Sequence, residues 1–130
     1  MKQYPAIELD SAKIWVCKDS IIWQDYKLTR SITIKEAKEI SEAVNEIAEN
    51  VPDGKKLLLS SMVGLLTMSS EVRDYFTNYP TKYDWKIALV YSNSVAHVFT
   101  LLILKVLSSR FESKSFNNLE NAIDWLKKNR

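Results

Sequence analysis

A chain of 130 residues with 46% hydrophobic and 26% charged side chains has the size and balance of one globular domain, enough to bury about two-thirds of its unfolded surface. Its 18 basic and 16 acidic residues leave a net charge of +2, and the basic clusters Lys55-Lys56, Lys127-Lys128 and Arg130 read as solvated edges or helix ends. That excludes the concentrated basic face that nucleic acid requires.

Ala6-Ile7-Glu8-Leu9 is a weak candidate for an edge strand. Ala12 to Lys18 and Ser20 to Tyr26 are rich in β-branched and aromatic residues, and Lys18-Asp19-Ser20 supplies the turn of a hairpin. The lone cysteine, Cys17, falls in this run, reads as a buried, inert thiol, and leaves no intrachain disulfide, which fits a reducing compartment. Thr33-Ile34-Lys35-Glu36 is a capping box. Behind it Ala37, Ile40, Val44, Ile47 and Val51 share one helical face, and Pro52-Asp53-Gly54 ends the helix. Lys56-Leu57-Leu58-Leu59-Ser60 is a continuous apolar run that suits a central strand. Past a loop through Gly64, residues Met68, Val72, Tyr75, Phe76 and Tyr79 mark a second helix, stopped by Pro80.

Trp85 to Tyr91 reads as another buried strand, and Ser92-Asn93-Ser94 caps a third helix from Val95 to Ser109. That helix is apolar nearly all round: Val95, Val98, Phe99, Leu102, Ile103 and Val106 face one way, Leu101, Leu104 and Leu107 another. It is either sandwiched within the fold or meets another subunit, so a homodimer is an expectation. Its apolar stretch, Val95 to Leu107, falls short of the roughly 20 residues that span a bilayer. Phe111 to Phe116 alternates as a strand. Asn117 then caps a terminal helix carrying Leu119, Ala122, Ile123 and Leu126, with Glu120 three positions after the cap. The order is a hairpin, then helix–strand three times, then a closing helix. It predicts an α/β domain over residues 1–130 with four helices on a mixed sheet of four or five strands, the hairpin antiparallel and the later strands parallel.

This pattern resembles the STAS family, in its SpoIIAA-like branch of anti-sigma-factor-antagonist-like proteins. The resemblance covers about Ala12 to Leu126. The ending Phe116-Asn117-Asn118-Leu119-Glu120-Asn121-Ala122-Ile123-Asp124-Trp125-Leu126 is similar to the phenylalanine and Ala-x-x-Trp-Leu that close SpoIIAA-like chains. Met68-Ser69-Ser70-Glu71 falls where STAS regulators carry Asp-Ser-Ser-Gly, whose second serine is a kinase target. Ser69 and Ser70 match the serine pair; Met68 replaces the aspartate and Glu71 the glycine. The resemblance implies a non-enzymatic regulatory or protein-interaction module whose partner surface lies around Gly64 to Asp74. Ser69, Ser70 and Thr67 would cap the second helix and contact the partner, and Ser70 is the only position that matches a phospho-acceptor. A phosphate on Ser70 would gain from the helix N-terminus but meet the charge of Glu71. The branch also overlaps with CRAL-TRIO-like domains, which implies an alternative: a carrier of a small apolar molecule or lipid, held between the sheet and the third helix.

No catalytic constellation accompanies these features. His97, the one histidine, sits in the apolar third helix without a visible partner and reads as a packed or interface residue. One histidine and one cysteine cannot build an ordinary zinc site, and two glycines ten apart cannot cradle a phosphate. Neither enzyme activity, cofactor nor metal is expected. Trp15, Trp23, Trp85, Tyr91 and Trp125 read as core and sheet-cover residues, with an apolar pocket or a partner anchor as the alternative. Met1-Lys2-Gln3-Tyr4-Pro5 has no long apolar core behind it, so no signal peptide is expected and the cytoplasm is the expected location.

Overall fold

The computed structural model describes residues 6–17, 19–27, 31–51, 54–61, 69–92 and 94–128. The predicted turn residues Lys18, Pro52, Asp53 and Asn93 lie outside these. In chain order the elements are β1 (Ile7–Glu8), β2 (Ala12–Val16), β3 (Ile21–Tyr26), α1 (Ile34–Ala48), β4 (Lys56–Ser61), α2 (Ser70–Asn78), β5 (Trp85–Val90), α3 (Ser94–Leu107), β6 (Glu112–Phe116) and α4 (Leu119–Lys127).

The strands form one six-stranded sheet in sequence order, β1 to β6. The first three run antiparallel, and β3 through β6 run parallel. The sheet therefore has six strands, not four or five. The added strand is β1, whose two residues are too short for an alternation signal. Ile7 pairs with Ile14, and Glu8 anchors the edge by accepting from Lys27 at 2.8 Å. A very short, charged edge is one way a sheet avoids pairing with other chains.

The hairpin turns at Ser20, which takes a left-handed backbone (φ 62°), while Cys17 and Ile21 close the loop through a 3.0 Å backbone bond. The Thr33 hydroxyl accepts from the Glu36 N–H and the Glu36 carboxylate accepts from the Thr33 N–H, so the capping box forms in full. Gly54, at φ 118°, makes the reversal after α1. At the other end Asn118, not Asn117, is the cap of α4: its side chain accepts from the Asn121 N–H at 3.0 Å. Both asparagines suit the role, and the start of the helix at Leu119 decides between them.

Each parallel crossover advances by one strand in the same direction, which puts the three connecting helices on one face of the sheet. That face carries Ala12, Ile14, Ile22, Tyr26, Ile87 and Leu89 against α1 and α2, with Ile103, Leu104 and Leu107 of α3 packed at the margin. The opposite face carries Ile21, Leu57, Leu59, Ala88 and Val90 against Ala122 and Leu126 of α4. As the continuous apolar run requires, β4 lies mid-sheet between β3 and β5, and every residue of β5 is buried.

Two exposed ion pairs set a pH dependence. Lys55 donates to Glu112 at 3.0 Å, which holds the Glu112 carboxyl below its ordinary 4.5 and the Lys55 ammonium above its ordinary 10.5. Glu8 is likewise lowered, chiefly by its hydrogen bond from Lys27. A lowered carboxylate stabilises fully above 4.5 and loses its contribution as pH falls through its folded value; a raised lysine stabilises fully below 10.5 and loses it above. Urea denaturation of Lys55→Met should therefore show a loss under about 1 kcal/mol at neutral pH, shrinking in strong acid.

Candidate functional site

In a parallel crossover the helix runs back along the strands, so α2 and α3 both begin at the end of the sheet where β4 and β5 finish. Ser69 and Ser70 meet at the first of these starts. Ser69 is the N-cap of α2, with its hydroxyl accepting from the Val72 N–H at 3.3 Å, and Ser70 is the first helical residue. Both are exposed, as is Glu71 beside them. Thr67, the third candidate, lies outside the described residues, as do Gly64 and Met68. The two serines thus differ: Ser69 is engaged with the backbone, and Ser70 presents its side chain outward. Ser69→Ala should cost about 1 kcal/mol in thermal or urea unfolding, while Ser70→Ala should be close to neutral.

The start of α3 carries a second feature. His97 is half-buried and stacks on Tyr91 with ring centroids 4.2 Å apart and planes 12° from parallel. Tyr91 stands one residue beyond β5 rather than within it. Farther along α3, the outward face differs from the predicted partition. Val98, Leu101 and Leu102 are 65%, 46% and 48% exposed, with exposed Lys105 next on the same face. The inward face is Thr100, Ile103, Leu104 and Leu107, one residue every three or four. On a helix apolar all round, periodicity cannot say which side turns inward.

Residues 14–130 match the sequence profile of a family described as a domain of unknown function, DUF7793. The chain belongs to that family. Among solved structures it is similar to an uncharacterized protein of the DUF3478 family with a SpoIIAA-like fold from Shewanella loihica PV-4. The TM-score is 0.62 at 12% identity, over 97% of this chain and 98% of that one. The fold of this DUF7793 chain is thus SpoIIAA-like, of STAS type, as the order of elements implied. No curated protein matches the chain.

Within the DUF7793 chain, a cavity of about 120 Å³ opens between the sheet and helices α1 to α3. Its walls are apolar, from residues such as Ile40, Val44, Leu58, Phe76 and Ile103. Its floor is not: Tyr26 shares side-chain hydrogen bonds with Gln24 and Ser60, and all three are buried. Burial pushes the Tyr26 hydroxyl well above its ordinary 10.0, so it stays protonated. The sequence reading passed over this trio, though a signal was present. Ile22, Gln24 and Tyr26 alternate on one strand, so two polar side chains follow a core isoleucine onto the same buried face. Arg110 donates to the Tyr79 carbonyl at 2.9 Å and lies over the Phe111 ring, so it ties the end of α3 to the residue after α2.

The tryptophans divide as alternation requires. Ile14 is buried against α1, while half-buried Trp15 stacks on Trp23 at 5.3 Å on the opposite face. Trp85 is buried and donates to the Thr81 hydroxyl at 3.0 Å. Trp125 packs against Phe116, and the Lys86 ammonium lies 4.6 Å over its ring. Cys17 lies just past β2 and is half-buried rather than interred. Among the described residues no group of three His, Cys, Asp or Glu could hold a metal ion, and no helix is long and apolar enough to cross a membrane.

Proposed function

We propose that this DUF7793 chain is a non-enzymatic regulatory module of STAS type. It acts as one domain in the cytoplasm and binds a partner protein through the ridge where α2 begins and α3 turns outward. The observation that carries this reading is the exposed stripe of Val98, Leu101 and Leu102, on a helix that starts at the same end of the sheet as Ser69 and Ser70. An apolar stripe held open to solvent suits an interface better than a monomer's surface. A second copy of the chain is one partner with the right chemistry, which light scattering across a concentration series detects. Ser70 is the modifiable position on this ridge: exposed, and at a helix N-terminus that favours negative charge. Affinity capture from the native host tests it, comparing wild type with Ser70→Asp. A changed yield of at least one captured protein is expected, and an unchanged set removes Ser70 phosphorylation from the function.

The cavity favours a second reading, a carrier of a small apolar molecule. Native mass spectrometry of protein purified from its host would reveal such a cargo as a discrete added mass. The volume of about 120 Å³ suits a compact molecule.

A further inference from the structure

The two edges of the sheet are finished differently. β1 closes one edge with two residues and a carboxylate held by Lys27. β6 ends the other with five residues, Glu112-Ser113-Lys114-Ser115-Phe116. It has β5 on one side and, among the described residues, no strand on the other. Successive residues of a strand turn their N–H and C=O to opposite sides. The Phe116 carbonyl accepts from the Tyr91 N–H at 3.0 Å, so Phe116, Lys114 and Glu112 turn theirs toward β5. The N–H and C=O of Ser113 and Ser115 therefore point away from the sheet, and no described residue makes a backbone bond to them. A row of this kind is a template for one more strand.

The side chains select which strand fits. Glu112 and Lys114 sit two apart, so they stand on the same face, and both are exposed. Lys55 takes Oε1 of Glu112 at 3.0 Å, which leaves Oε2 open. The Lys114 ammonium lies 5.5 Å from the Phe116 ring centre and has no carboxylate partner among the described residues. When a second β6 is laid antiparallel across a two-fold axis perpendicular to the sheet, the axis falls on Ser113, Lys114 or Ser115. With Lys114 on the axis, two ammoniums face each other, which is destabilising. With Ser115 on the axis, Glu112 falls opposite Asn118, past the end of the strand and at the cap of α4. With Ser113 on the axis, Glu112 of each copy stands opposite Lys114 of the other, and Ser113 meets Ser113 in a pair that exchanges both backbone bonds. The Glu112–Lys114 pairs beside it are then of the non-hydrogen-bonded kind, which brings side chains closest.

We infer that β6 is a self-association edge: two copies of this chain pair their β6 strands antiparallel about Ser113, joining their sheets into one, with Glu112 and Lys114 matched across the junction. The contact uses backbone groups and strand side chains and asks nothing of the exposed stripe on α3. It is short, so the dimer belongs with weak, transient associations.

Sedimentation velocity of the full chain at neutral pH, over about 5 to 500 µM, tests it. The average mass is expected to rise toward that of a dimer along the series. Ser113→Pro removes the N–H at the axis and leaves the β5 side intact, which an edge strand tolerates, so this variant should stay monomeric throughout. Glu112→Lys and Lys114→Glu should each weaken the dimer about tenfold. Mixed in equal amounts they should restore it, because every junction then sets lysines against glutamates. Circular dichroism checks the folding of each variant, and should Ser113→Pro fail to fold, the charge variants still decide. A wild type that stays monomeric up to about 500 µM, a dimer that persists in folded Ser113→Pro, or a mixture that associates no better than its two components overturns the inference.

Discussion

Leu59→Ala should lower the stability of the fold by about 3–5 kcal/mol, the largest effect expected of any single substitution here. Leu59 has no exposed surface and sits mid-sheet on β4, facing α4. Its neighbours Ile21, Leu57, Ala88, Ala122 and Leu126 come from β3, β4, β5 and α4, so the void left by truncation opens where four elements meet. Strands on both sides hold the backbone of β4 in register, so the site cannot collapse to fill the space. A small domain has about 5–15 kcal/mol in all, and a loss of this size leaves it marginal at physiological temperature. Urea denaturation measures it. Leu102→Ala, which removes the same atoms from a half-exposed position, should change stability by less than about 0.5 kcal/mol.

Lys86→Ala should be the second largest, at about 2 kcal/mol. The Lys86 ammonium is buried and donates to the carbonyls of Trp125 at 2.6 Å and Lys128 at 2.7 Å, so it closes the C-terminal end of α4. Desolvation holds its pKa below the ordinary 10.5, which offsets part of what the two bonds contribute. The Trp125 carbonyl keeps one other donor, the Lys128 N–H at 3.3 Å, but the Lys128 carbonyl loses this one. Lys86→Met keeps an apolar stem against the Trp125 ring and should cost less than the alanine. Amide exchange in α4 should speed up in both variants ahead of exchange in β4. If Lys86→Ala leaves stability unchanged, burial of the charge cancels its bonds and α4 is held by its apolar packing through Ala122, Ile123, Trp125 and Leu126.

The parts of this fold that were legible in the sequence are those with a local cause. The capping box at Thr33 and Glu36 forms because four adjacent residues suffice to make it. Leu57 to Leu59 betray a central strand because a strand buried on both faces needs no polar alternation. What was faint, like the edge strand at Ile7, or missed depends on contacts made at a distance. The strand at Ile7 exists because it pairs with Ile14, and two residues carry no period of their own. The outward face of α3 is set by what the sheet leaves uncovered, since Val98 and Ile103 are equally apolar in sequence. At the serines, residue type marked Ser69 and Ser70 alike, and only the position of the first turn of α2 separates the cap from the exposed hydroxyl. The cavity floor was hidden because Gln24, Tyr26 and Ser60 come from two strands joined by a whole crossover.

The account turns on the open face of α3 being a binding surface. Quantitative affinity capture from the native host tests this most directly, using wild type, Leu101→Asp/Leu102→Asp, and Leu119→Asp. Leu119 is the control: it is 42% exposed but lies on α4, across the sheet. A partner retained by wild type and by Leu119→Asp, and reduced about tenfold or more by the α3 double substitution, is the predicted result. The same proteins recovered in equal yield from all three would contradict it.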